Sequence, residues 1–206
     1  MPVMKQVAKV KYNRYSGEKI PDLAYLDEDG NRLHLSNLGE EVFYVNYWTA
    51  DDQCLEKSIP EINEMNGKLS KYREGALLNV CIKSTEEQWR RVLAENEFRG
   101  KHLFLEDTEC FDNYLTIPGA MDVGLVPPMI VNKERDIMGS GMGASSGEQV
   151  VTIYMMKQAE DGISAGNAAK RFIKVATRHH NGKDSKEVRE FSEFVGEFDD
   201  EVQKGG

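Results

Sequence analysis

The sequence predicts an α/β fold, a mixed β-sheet flanked by helices with a C-terminal helical extension. Two observations carry that prediction. VFYVNYW at 42–48 and ALLNVCI at 76–82 are nearly continuous in apolar residues, the pattern of strands buried on both faces of a sheet. Each run is followed by a helical pattern, and strand–helix alternation of this kind implies a sheet with crossover connections.

The elements follow in chain order. Residues 20–38, IPDLAYLDEDGNRLHLSNL, alternate apolar and polar on both sides of Asp29-Gly30, so two short strands joined by a tight turn are expected. The strand at 42–48 should be central. After it, Leu55, Ile59, Ile62, Met65 and Leu69 recur at spacings of three and four, one stripe of a helix running from Asp52 to near Tyr72. Pro60 lies inside that helix and is expected to kink it. A second strand at 76–82 leads to Ser84-Thr85-Glu86-Glu87-Gln88, overlapping capping boxes for a helix through Glu97. HLFLED at 102–107 is a third short strand, and a helical turn is expected around Glu109 to Tyr114. A loop, a Pro-Pro step and a hairpin with MIVN and DIM as arms come next. Ser145 and Ser146 then cap a helix containing VVTIYMMKQ.

Beyond Gly162 the composition changes. Residues 164–180 and 184–202 form two amphipathic helical patterns, with Phe172, Ile173 and Ala176, then Val188, Phe191, Phe194, Val195 and Phe198, as their apolar faces. The expected division is 1–160, a main domain with an N-terminal strand, and 161–206, a helical extension packed on or beside it. The Phe191, Phe194, Phe198 face is expected either to close over the sheet or to form a homo-oligomer contact.

Composition bounds the function. A formal net charge of -9 over 206 residues works against nucleic acid, whose affinity comes largely from Lys and Arg neutralising phosphates. No run reaches the ~18 apolar residues of a membrane span. The start MPVMKQVAKVKYNRY lacks the apolar segment of a secretory signal, so the expected location is cytoplasmic, or extracytoplasmic if a leader was trimmed. Cys54, Cys81 and Cys110 show no C-x-x-C spacing and define neither a disulfide framework nor a zinc site. Cys81 reads as a buried, inert thiol, Cys110 as packing on a short helix, and Trp48 and Trp89 as core residues. Gly139-Ser140-Gly141-Met142-Gly143 lacks the lysine and hydroxyl of a phosphate loop and reads as a link to the next helix. The adjacent His179 and His180 point ~100° apart on a helix and do not form a metal pair. Neither a cofactor nor a metal is implied.

PDLAYLDEDGNRLHLSNL followed by VFYVNYW resembles the opening of the TlpA-like and AhpC/TSA-like branch of the thioredoxin superfamily. Its members show a Pro-Asp, a D-x-D-G hairpin, an L-S-x-L turn and an apolar strand ending in an aromatic and Trp. The resemblance covers about residues 18–140 and implies a thioredoxin-like mixed sheet. In that family, Trp is followed by three residues, Cys-x-x-Cys, four residues and Pro. Trp48 and Pro60 keep this spacing without a gap, which sets Asp52 at the first cysteine position and Leu55 at the second. Asp52 cannot attack sulfur and Leu55 cannot resolve a mixed disulfide. Asp52 is expected instead to cap the helix.

Cys54 falls between those positions. A single-cysteine peroxidase, or a thiol open to glutathionylation, is the alternative function, with Cys54 as its catalytic residue. Against it, two helical residues turn a side chain by ~200°, away from the family's usual face. A two-residue insertion would restore Cys54 to the first position and put Lys57 at the second, at the expense of the Pro60 match. The family's cis-proline segment corresponds to GLVPPMIVN. Aligning Gly124 and Asn132 puts Val126 at the proline, whereas sliding by one restores Pro127. A cis Val126–Pro127 or Pro127–Pro128 bond is expected from this resemblance. The leading expectation is a thioredoxin-like module without dithiol chemistry, using the former substrate groove for a protein or peptide.

Overall fold

The structure is a computed structural model and describes residues 12, 13, 15–72, 74–107 and 126–198. Seven strands form one mixed sheet: β1 (Ala24–Asp27), β2 (Arg32–His34), β3 (Val42–Trp48), β4 (Gly75–Cys81), β5 (Lys101–Leu105), β6 (Met129–Asn132) and β7 (Ile137–Ser140). Their order across the sheet is β2-β1-β5-β4-β3-β6-β7. The helices are α1 (Leu55–Leu69), α2 (Glu86–Glu95), α3 (Ser146–Glu160), α4 (Ala165–His180) and α5 (Lys186–Phe198). The fold class is the expected one. The helical turn expected near Glu109–Tyr114, Cys110, Gly124 and the N-terminal strand lie outside the described residues.

β3, β4 and β5 run parallel, joined by α1 and α2 as crossovers, while β1 and β6 pair antiparallel at either side. All seven residues of β3 are buried, and alternation divides them between two cores. Val42, Tyr44 and Trp48 face the apolar stripe of α1 together with Trp89, Ile153, Met156, Ala168 and Phe194. Phe43, Val45 and Tyr47 face Tyr15, Ile20, Leu23, Leu35 and Val126. At ~1.5–3 kcal/mol for each large apolar side chain fully buried, this strand is a main stabilising element.

Local chemistry explains the turns. Between β1 and β2, Gly30 takes a positive φ of 86°, and the Asp27 carbonyl accepts from the Gly30 N–H at 3.1 Å. At the head of α2, the Thr85–Gln88 box closes in both directions, at 2.9 and 3.2 Å. Ser84 is thereby released to accept from the Ala50 N–H at 2.9 Å, tying the loop after β3 to the end of β4.

Three expectations need correction. α1 begins at Leu55, three residues after Asp52, and continues through the exposed Pro60. No cis peptide bond occurs among the described residues, so Val126–Pro127 and Pro127–Pro128 are both trans. Trans is the lower-energy isomer by ~0.5–1 kcal/mol, and it suits an extended entry to β6, where the Pro128 carbonyl accepts from the Gly141 N–H at 2.8 Å. Gly139 and Ser140, expected in a link, end β7, and Gly139 approaches Ala165 of α4 too closely for a Cβ.

The C-terminal helices take the first of the two arrangements expected for them. Phe194 and Phe198 join the same core as Trp48 and Trp89, and Phe191 packs with Val175 and Val188. Tyr154 of α3 meets Phe172, Phe191 and Phe194 edge-on at 5.3, 6.3 and 5.5 Å between ring centres. The phenylalanine face of α5 closes over the chain's own helices and core.

Candidate functional site

In an open α/β sheet, ligands gather beyond the carboxyl ends of the parallel strands, where loops and helix starts converge. Here that place is the end of β3 and β4, whose last residues, Trp48 and Cys81, are register partners. β6 enters beside it, with Met129 opposite Val45, which brings the Pro127-Pro128 step next to the turn from Trp48 to α1.

A cavity of about 190 Å³ opens there, lined by Trp48, Asp52, Leu55, Ser58, Glu61 and Pro128 among others. Four of the sequence-derived positions, Trp48, Asp52, Leu55 and Pro128, thus share one surface. Cys54, Pro60, Val126 and Pro127 are not part of the lining. Cys54 is exposed, and its backbone carbonyl accepts the first bonds of α1, from the Lys57 and Ser58 N–H groups at 3.1 Å.

Asp52 acts one turn earlier than a helix cap. Its Oδ1 accepts from the Cys54 N–H at 2.8 Å, and its carbonyl accepts from the Leu55 N–H at 3.1 Å. The carboxylate stabilises the tight turn that delivers the chain into α1. Leu55, 5% exposed, drives the first turn of that helix into the core.

Other groups shape the walls. Tyr44 donates its hydroxyl to the Met142 carbonyl at 3.1 Å. Burial, and then the charge of Glu148, push its phenol above the ordinary range. Asn46 and Asn79, register partners in β3 and β4, are linked by an Nδ2–Oδ1 bond of 3.1 Å, and Asn79 donates onward to the Arg99 carbonyl at 3.2 Å. Gln149, fully buried, donates to the carbonyls of Ala144 and Glu61 at 2.8 and 3.2 Å, stitching α3 to α1 at the cavity rim. Sequence reasoning missed Asn46, Asn79, Gln149 and Glu61. The signal for the two asparagines was present: each is the single strongly polar residue inside an otherwise apolar strand.

Cys81 is buried, and burial pushes its thiol up to about 11. Cys54 and Cys81 are both free thiols. Among the described residues no three His, Cys, Asp or Glu side chains converge as metal ligands, and no helix is long and apolar enough to cross a membrane. A larger groove of about 510 Å³ lies between α3 and α5, lined by Tyr154, Phe194 and four glutamates of α5, away from the strand ends.

Comparison with solved structures defines the class: the fold is thioredoxin-like. The thioredoxin domain of a thiol-disulfide oxidoreductase from Bacteroides vulgatus superposes with a TM-score of 0.54 at 16% identity, over 72% of this chain and 97% of that one. A thiol:disulfide interchange protein from Bacteroides sp. gives 0.56 at 18% identity, over 68% and 89%. The exposed lipoprotein thioredoxin of Streptococcus pneumoniae gives 0.52 at 14%, over 67% and 99%. No family model matches the sequence, and no curated protein matches it. At these identities the likeness is one of fold, and function has to be argued from the site.

Proposed function

We propose that this chain is a thioredoxin-like module without dithiol chemistry, which holds a segment of polypeptide non-covalently in the groove at the ends of β3 and β4. The observation that carries this reading is the lining of the groove. Asp52 and Leu55, the residues read at the two thiol positions, both contribute to it, and among the described residues no sulfur does. The nucleophile and resolving thiol of a disulfide exchange are thus replaced by a carboxylate and an alkyl group. The inert Cys81 thiol does not restore them.

A second reading retains one observation. Cys54 is exposed at the start of α1, so a single-thiol peroxidase or oxidoreductase is the alternative. Insulin reduction and peroxide consumption separate the two. The leading reading expects neither reaction to exceed the uncatalysed rate. A clear activity that disappears in Cys54→Ser would replace it with the alternative.

A further inference from the structure

The walls of the groove at the end of β3 have an uneven hydrogen-bonding balance. Three of their side-chain donors are engaged within the chain: the Tyr44 hydroxyl donates to the Met142 carbonyl, Asn46 Nδ2 to Asn79, and the Ser58 hydroxyl to the Leu55 carbonyl. The Trp48 indole N–H is sealed from solvent without a partner and presents nothing to the opening. The lining also holds two acidic residues, Asp52 and Glu61, together with the aromatic residues Tyr44, Tyr47 and Trp48. Among the described residues, no lysine, arginine or histidine belongs to the lining. Glu148 adds negative charge from behind Tyr44.

A site made of acceptors, carboxylates and aromatic faces suits a group that only donates and carries positive charge. Lysine ammonium offers three donors and no acceptor, arginine guanidinium five and none. Both gain from a carboxylate and from the face of an aromatic ring. The cavity, about 190 Å³, is smaller than the ~300–1,000 Å³ that takes a drug-sized ligand, so it suits one side chain. An acidic side chain would meet like charge. We propose that this groove takes the cationic side chain of an arginine or lysine in the bound polypeptide, an inference that rests on the groove being a polypeptide site.

Calorimetric titration with a capped Ala-Ala-Arg-Ala-Ala peptide tests it, beside the same peptide with citrulline, which keeps the shape and loses the charge. The arginine peptide should bind about tenfold tighter or more, as charge-assisted hydrogen bonds do. Asp52→Asn and Glu61→Gln should each reduce that preference. Asp52→Asn keeps an oxygen for the Cys54 N–H, and circular dichroism verifies that both variants fold. Equal affinity for arginine and citrulline overturns the cation inference while leaving the polypeptide groove standing. Binding of neither peptide overturns both. A preference unchanged in both variants places the cation elsewhere and refutes the site. Agmatine binding as tightly as the peptide overturns the polypeptide source in favour of a free amine.

Discussion

If Asp52 and Leu55 occupy the two thiol positions, replacing both with cysteine should create a working dithiol. The geometry permits the bridge: the 3.1 Å bond from the Leu55 N–H to the Asp52 carbonyl closes a four-residue turn. Such a turn brings its end Cα atoms within ~7 Å, overlapping the ~4.4–6.8 Å usual for a disulfide. The costs can be worked from the same contacts. Losing the Asp52 carboxylate leaves the Cys54 N–H without its acceptor, about 1 kcal/mol by analogy with a lost cap. Trimming the buried Leu55 to cysteine costs roughly 1–2 kcal/mol in apolar burial. A total near 2–3 kcal/mol leaves a domain of ordinary stability, ~5–15 kcal/mol, folded. The variant D52C/L55C, with Cys54→Ser to prevent mispairing, should therefore form an internal disulfide on mild oxidation. Thiol titration would read that directly. Reduced, it should accelerate insulin reduction at least tenfold over the parent. The rival register puts Cys54 and Lys57 at the two positions, so K57C is the matched control. The reasoning is refuted if D52C/L55C/C54S fails to bridge, or bridges without activity while K57C becomes active.

Three further outcomes follow from the packing and the buried titratable groups. Phe194→Ala should cost about 3–5 kcal/mol and lower the midpoint of a single urea transition, because Phe194 packs on Tyr154 and Phe198 within the main core. A loss under about 1 kcal/mol, or a separate early transition, would show α5 folding apart from the sheet. His102 is buried, with Nε2 donating to the Phe98 carbonyl at 2.9 Å and Nδ1 unpartnered, and burial holds its pKa below the ordinary 6.5. The unfolded chain takes up a proton that the folded chain refuses, so stability should fall as pH drops below about 6.5. Urea midpoints that lack this step, or show it unchanged in His102→Gln, would remove His102 as its source. Cys81, raised to about 11 from 9.0, should resist alkylation at pH 8 in the folded protein while Cys54 reacts. The same shift means stability falls as pH rises from about 9 towards 11, since only the unfolded thiol ionises there. Two thiols modified at equal rates under native conditions would contradict the burial of Cys81.

What was legible in the sequence was whatever depends on local period and short-range hydrogen bonding. A run at 42–48 that is apolar except at Asn46 admits few arrangements other than a strand buried on both sides, and Thr85 with Gln88 reads as a cap because both partners lie in one turn. The start of α1 was less legible because Asp52 bonds two residues ahead and holds a turn instead of the first residue of the helix. The fate of α5 depended on contacts with Tyr154 and Lys157, some forty residues away, which no amphipathic pattern identifies. The site shows the same division at closer range. Trp48, Asp52 and Leu55 could be placed by spacing alone, whereas Glu61 meets Gln149 only because α3 docks on α1, where Gln149 donates to the Glu61 carbonyl. Glu61 is one of the two acidic residues of the lining. A motif read along the chain therefore identifies the turn between β3 and α1, while the rest of the lining emerges only from a helix–helix contact. If that contact sets the specificity, Gln149→Ala should weaken binding of a cationic peptide without touching any residue of the turn between β3 and α1.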